Sequence, residues 1–254
     1  MRQKLMLLLS AILLLSVVLS ACGTPTTAQS GTLNELPTAP PAPTYPPAAK
    51  PSIPPAPATT LPKAGVSALV VDQFDGTLDT WQVLDLRVLP GSELSTWKVT
   101  EGRVDQVTGP DGMNASTPTA LLIGDTTWTN YRVQAMAYAR GNSIMGLVGR
   151  NSDKGMYMLV VRPADSQGGS QITIQRYDAA TETFTNLAKA DSGGAEKNQW
   201  YALELAFQGN SITALINGQE VLQTTDATYS AGRAGVYGYA EGELSFDNFS
   251  VQSR

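Results

Sequence analysis

Tyr201-Ala202-Leu203-Glu204-Leu205-Ala206-Phe207 alternates large apolar residues with small or charged ones at a period of two. Tyr201, Leu203, Leu205 and Phe207 read as one buried face and Glu204 as outward, whereas a helix would scatter them around its circumference. After Gln208-Gly209-Asn210 a second alternating run, Ile212–Ile216, begins, and it ends on Asn217-Gly218. Asn-Gly supplies the two positive φ angles of a type I′ turn, so it predicts a tight hairpin, and Gln208-Gly209-Asn210 predicts a slightly longer one. Two hairpin-linked strands of this kind set the fold class as β.

The same reading extends in both directions. Ala68–Phe74, Trp97–Val107, Tyr131–Tyr138, Ile144–Val148, Met156–Val161, Ile172–Tyr177, Val236–Tyr239 and Leu244–Val251 are further short runs, separated by Gly, Asn and Asp. Gly168-Gly169 separates two of them. No long stretch of helical periodicity follows residue 21. Many short antiparallel strands at this spacing predict an all-β fold, a two-sheet antiparallel jelly-roll sandwich over 66–254.

Residues 22–65 have a different composition. Twelve of the 16 prolines fall in 24–63, with Ala and Thr filling most of the rest and only Glu35, Lys50 and Lys63 charged. So few large apolar groups cannot form a core, and proline favours extended polyproline II, which predicts a disordered linker reaching at most ~120 Å. Pro-Pro-Ala-Pro, which occurs at 40–43 and again at 54–57, is also the kind of segment that docks on an aromatic groove.

Upstream, Arg2 and Lys4 precede an uncharged, Leu-rich run from Leu5 to Leu19. At ~15 residues it has the length of a signal-peptide core and is shorter than the roughly 20 that a spanning helix needs. It ends in Leu19-Ser20-Ala21-Cys22, which resembles the lipobox of bacterial lipoproteins. The resemblance implies removal of 1–21 and a diacylglycerol on the Cys22 thiol, with a further acyl chain such as palmitate on its amine. Two or three chains make a lasting anchor where one holds marginally. The expected location is therefore extracytoplasmic, tethered to the cell membrane through Cys22. Gly23, where Asp commonly signals retention, favours onward transport to an outer membrane if the cell has one.

Composition excludes much chemistry. The chain has 254 residues, no histidine, and Cys22 as its one cysteine. Ser-His-Asp and Cys-His nucleophiles, His or Cys zinc sites and a disulfide within the domain are all removed. Thirteen basic against 21 acidic residues from Val66 onward leave a net charge of −8, which disfavours nucleic acid. Carboxylates, Lys, Arg, Tyr and hydroxyls remain, a set that suits only hard cations such as Ca²⁺.

Several segments along 66–254 resemble the concanavalin A-like lectin/glucanase jelly rolls, particularly their laminin G-like branch. They are Asp72-Gln-Phe-Asp75 with Trp81, Trp97 and Gly102-Arg-Val; Trp128-Thr-Asn-Tyr131-Arg-Val; Gly146-Leu-Val-Gly-Arg150, Tyr157-Met-Leu-Val and Ile174-Gln-Arg-Tyr177; then Trp200-Tyr-Ala-Leu203, Ile216-Asn-Gly218 and Phe246-Asp-Asn-Phe249-Ser-Val. The fold serves lectins, glycosidases, adhesins and spacers alike. Alternation puts Arg132, Gln134 and Tyr138 opposite Val133, Ala135 and Ala137. It puts Gln175 with Tyr177, and Tyr237 with Tyr239. If these rows share the concave sheet, together with Arg150 they make a groove in which tyrosine faces stack on sugar rings and polar groups bond the hydroxyls. Trp128 and Trp200, each just before a strand, read as edge packing, and Trp81 and Trp97 fit either role.

The resemblance further implies a structural Ca²⁺ near the adjoining first and last strands, with Asp72 and Asp247 as ligands. The alternative is that these carboxylates, with Asp75, cap turns. A glycosidase needs two facing carboxylates. No Glu-x-Asp-x-x-Glu motif occurs, and Glu241 and Glu243 flank Gly242 at what reads as a hairpin tip. Partial similarity to hydrolases of 3-keto-glycosides keeps that activity open. Ser95-Thr-Trp-Lys98 spells a Ser-x-x-Lys without its partner motifs and reads as chance. The favoured expectation is a non-catalytic, carbohydrate-binding jelly roll on a lipid anchor. The alternatives are a hydrolase of glycosides or 3-keto-glycosides and a structural or protein-adhesion module. Oligomeric state leaves no trace in the sequence.

Overall fold

In the computed structural model, residues 53–57, 67–88, 94–108, 117–167, 169–239 and 244–254 are described. The signal run, Cys22, Gly168, Glu241 and Glu243 lie outside them. The described strands begin with β1 (Ala68–Asp72), β2 (Gln82–Asp85), β3 (Ser95–Thr100), β4 (Arg103–Thr108) and β5 (Thr119–Ile123). The middle of the chain gives β6 (Tyr131–Ala139), β7 (Ile144–Ser152), β8 (Gly155–Val161), β9 (Ile172–Asp178) and β10 (Thr183–Ala190). The last five are β11 (Trp200–Gln208), β12 (Ser211–Ile216), β13 (Gln219–Thr225), β14 (Arg233–Tyr239) and β15 (Leu244–Ser253). One sheet runs β13-β12-β11-β6-β15-β4-β3, with β1 also on β15; the other runs β10-β9-β8-β7-β14-β5-β2. All pairings between these strands are antiparallel, as an all-β sandwich requires.

The opening stretch behaves as its alternation dictates. Tyr201, Leu203, Leu205 and Phe207 are buried in the core between the sheets, with Val133, Ala135 and Ala137 opposite them on β6. Ile216 pairs with Gln219 across a two-residue turn in which Asn217 and Gly218 have φ of 51° and 78°. Gln208 pairs with Ser211, so that hairpin is also a two-residue one, Gly209-Asn210, and not the longer loop expected. Trp97–Val107, read as one strand, is a hairpin: Glu101 and Gly102 take φ of 52° and 71° and separate β3 from β4.

Between the sheets, aromatic rings are tied to the backbone by their polar ends. The Tyr131 hydroxyl accepts from the Arg150 N–H (2.5 Å) and lies 3.2 Å from both the Gly232 and Arg233 carbonyls. The Tyr157 hydroxyl donates to Asp226 Oδ1 (2.5 Å) and accepts from the Tyr229 N–H (3.0 Å). Burial, reinforced by the Asp226 carboxylate, pushes the Tyr157 phenol up to about 12, and burial raises Tyr131 and Tyr237 further still. An unfolded tyrosine ionises near pH ~10. Above that value the unfolded chain releases protons that the fold retains, so stability falls as pH rises toward the folded values. Denaturant midpoints measured at increasing pH are therefore expected to fall from about pH 10 upward. Tyrosinate absorbance should show Tyr131, Tyr157 and Tyr237 ionising at higher pH in the folded chain than in the unfolded one.

Candidate functional site

The outward side chains of β11, β6 and β15 form rows set by register. Tyr138 lies between Trp200 and Ser245, Gln134 between Glu204 and Ser250, and Arg132 between Ala206 and Gln252. Small residues at 202, 206 and 250 leave room above the polar ones. The result is a groove on the outer face of the first sheet, with a volume of about 460 Å³. Gln134, Glu204, Ser250 and Gln252 line its floor, and Trp200 and Val71 are among the residues of its walls.

Its polar groups are joined into one chain. Gln252 Nε2 donates to Gln134 Oε1 (3.1 Å), and Gln134 Nε2 donates to Glu204 Oε2 (2.8 Å). Arg132 sits 3.7 Å from Glu204 Oε1, and its own Nε is buried with no hydrogen-bond partner. The orientation of each amide is thereby fixed by its neighbour. Beside this chain the Trp200 ring lies 5.2 Å from that of Tyr138, at 48°. An aromatic wall next to preorganised donors and acceptors is the chemistry that a pyranose meets: its C–H face packs on the ring and its hydroxyls bond the floor. Glu204 is the one carboxylate among the described lining residues, and glycoside hydrolysis uses two.

The eight residues nominated from sequence are not brought together. Arg132, Gln134 and Tyr138 are on the first sheet, although Tyr138 is buried beneath Trp200. Gln175, Tyr177, Tyr237 and Tyr239 belong to the second sheet, on the far side of the sandwich. Tyr177 and Tyr237 pack there among Val148, Met156, Met158 and Val160, and the Tyr177 ring lies 4.8 Å from Phe184. Gln175 bonds Asn186 across to β10 (3.0 Å). Tyr239 lines a separate hollow with Ile144, Arg162 and Lys197. The expected single groove fails because alternation separates inside from outside but does not say to which sheet a strand belongs.

Arg150 departs for another reason. A register shift between Gly149 and Ser152 and a φ of 49° turn it inward, where it is 1% exposed. Its guanidinium donates to the carbonyls of Thr129 (2.9 and 3.1 Å), Gly209 (2.7 Å) and Tyr229 (3.1 Å) and lies 4.9 Å from the Phe207 ring. A Cβ at Gly149 would come within 2.2 Å of that ring, so the glycine permits the stack.

Trp200, expected at an edge, belongs to the groove, and its period-two spacing from the outward Glu204 is the signal that would have placed it there. Trp81 is buried, and its indole donates to Asp72 Oδ2 (2.8 Å); Trp97 is buried against Phe246. β1 does pair with β15, as expected. Asp72, however, spends its other oxygen on the Phe74 N–H (2.7 Å), while Asp247 accepts from the Asn248 N–H (2.6 Å) and is raised by burial. The Asp72 bond is that of a turn-capping carboxylate, the alternative role weighed for it. Among the described residues no cluster of three or more His, Cys, Asp or Glu is placed to hold a metal.

A family profile described as the 3-keto-alpha-glucoside-1,2-lyase-like domain matches residues 72–252. No curated protein matches the chain in sequence. Among solved structures, a carbohydrate binding module, CBM66 from Bacillus subtilis, is similar over 68% of this chain and 96% of its own, with 14% identity and a TM-score of 0.53. A GlcNAcα1-4Gal-releasing endo-β-galactosidase from Clostridium perfringens aligns over 77% of this chain and 65% of its own, at 15% identity and TM-score 0.51. SCLam, a non-specific endo-β-1,3(4)-glucanase from family GH16, covers 75% and 92% at 9% identity and TM-score 0.51. At these identities the likenesses establish the concanavalin A-like sandwich and nothing finer.

Proposed function

We propose that this chain, which belongs to the 3-keto-alpha-glucoside-1,2-lyase-like domain family, is a glycan-binding module that works without turnover, held at the cell envelope by acyl chains on Cys22. The observation that carries the binding reading is the floor of the groove: Gln252, Gln134 and Glu204 bonded in series beside the Trp200 ring. Such a row offers hydroxyls fixed partners at no cost of reorientation. The family's description names a glucoside, which makes a glucose-based chain the first ligand to try.

A second reading follows from the same description and the lone carboxylate. A ketone at C3 acidifies the C2–H, so one base suffices for elimination. The base takes the C2 proton, the C1–O pair leaves with the aglycone and takes up a proton, and C1=C2 forms. Glu204 is the groove's candidate base. The third reading is a protein-adhesion module.

Titration with maltohexaose, laminarihexaose and a 3-keto-disaccharide, followed by tryptophan fluorescence and product analysis, separates the three. Saturable change without product is expected. Product formation favours elimination, and no response to any sugar leaves adhesion. For the anchor, the full chain is expected in the detergent phase and a Cys22→Ser chain in the aqueous phase. Equal partition would remove the anchor.

A further inference from the structure

Five residues of the proline-rich stretch lie on the domain itself. Ile53–Pro57 groups with the sandwich in the compact unit Ser52–Arg254, and Ile53 is only 8% exposed. The Trp200 indole N–H, the donor that an aromatic wall would offer a sugar oxygen, is taken by the Pro54 carbonyl (2.8 Å). Asn248 Nδ2 donates to the Pro57 carbonyl (3.2 Å), and Pro57 is itself part of the groove's lining. Asn248 stands at a register shift of β15 with a φ of 51°, outside regular pairing.

The chemistry of the two partners matches. A proline backbone has no N–H to offer, only carbonyls on an extended, pre-stiffened chain. This end of the groove presents the converse: two side-chain N–H donors, one on an aromatic ring. We infer that the Trp200 end of the groove is a docking site for an extended proline-rich backbone. Ile53–Pro57 is its resident occupant, and a glycan entering the groove must displace it. Docking stands on these contacts alone, whereas the displacement half rests on the glycan reading above. Two hydrogen bonds and one buried side chain are few enough for a ligand spanning several sugar rings to break.

Ile53→Asp in the full chain tests both halves, since a charge cannot stay buried there and Ile53 belongs to no strand. The four tryptophans give four indole N–H signals in NMR, and Trp200→Phe identifies the relevant one. In Ile53→Asp that signal is expected to shift and to exchange with D₂O at least tenfold faster, with the other three unmoved. An unchanged Trp200 signal overturns docking. A labelled peptide of residues 52–58 should bind the Ile53→Asp chain and not the unaltered one; equal binding to both, or to neither, also overturns it. Maltohexaose should bind Ile53→Asp at least threefold more tightly than the unaltered chain. Equal affinity overturns displacement but leaves docking to the NMR result. Maltohexaose binding to neither chain removes the glycan reading, and displacement with it.

Discussion

Arg150→Met is expected to destabilise the sandwich by about 4 kcal/mol, among the largest losses a single side chain here can cause. The guanidinium is buried and holds carbonyls from three separate segments: Thr129 before β6, Gly209 in the β11–β12 turn and Tyr229 before β14. Methionine fills much of the volume but leaves those oxygens without a donor. Each stranded group costs about 1–3 kcal/mol, and the costs are not additive because the segments relax together. Lost stacking on Phe207 adds to this. Arg150→Lys should fall between, at about 2 kcal/mol, because an ammonium cannot fork toward three carbonyls in fixed directions. Urea denaturation measures both. A loss below about 1 kcal/mol for Arg150→Met would mean that the carbonyls find other donors, and would end its role as the tie between loops.

That role was not readable from Gly146-Leu-Val-Gly-Arg150, because a bulge inverts the facing of every residue after it and leaves no mark that a period of two can register. Where pairing is regular, the sequence was enough. Tyr201–Phe207, Tyr131–Tyr138 and the Asn217-Gly218 turn lie as their patterns dictate, since one face of each strand must be dry. The strands that escaped notice are mostly at sheet ends: β2, β10 and β13 are terminal in their sheets. An edge strand has only one neighbour and much of its surface in water, so Gln219–Thr225 and Thr183–Ala190 carry polar residues on both faces and lose the alternation. The groove suffered from a different gap. Arg132 and Gln134 were legible as outward, but their partnership with Glu204, Ser250 and Gln252 depends on β6 lying between β11 and β15, strands far from it in sequence. Tyr177 and Tyr237 show the cost of that gap, being outward in pattern yet on the opposite sheet.

Glu204 is where binding and catalysis give opposite results, and its replacement carries the second large effect. Its carboxylate is bonded by Gln134 and attracted by Arg132, with its side chain 13% exposed. A sugar hydroxyl placed over it gains a charge-assisted hydrogen bond, stabilising by about 1.5–3 kcal/mol. Glu204→Ala should therefore weaken oligosaccharide binding by roughly a hundredfold, about 2.7 kcal/mol. Glu204→Gln, which keeps the shape and one acceptor oxygen, should weaken it by roughly tenfold. Thermal melting belongs beside each titration, because Arg132 and Gln134 also lose a partner. A small drop in stability alongside a large drop in affinity marks a binding role. An eliminating enzyme responds in another proportion. Glu204→Gln would then hold a 3-keto-disaccharide within about threefold of the unaltered chain while product formation vanishes, since an amide cannot take the C2 proton. Affinity and turnover measured on that one variant decide whether the groove holds sugars or breaks them. If neither quantity moves, Gln252, Gln134 and Glu204 bond one another and no sugar, and Ile53–Pro57 is left as the groove's occupant among the described residues.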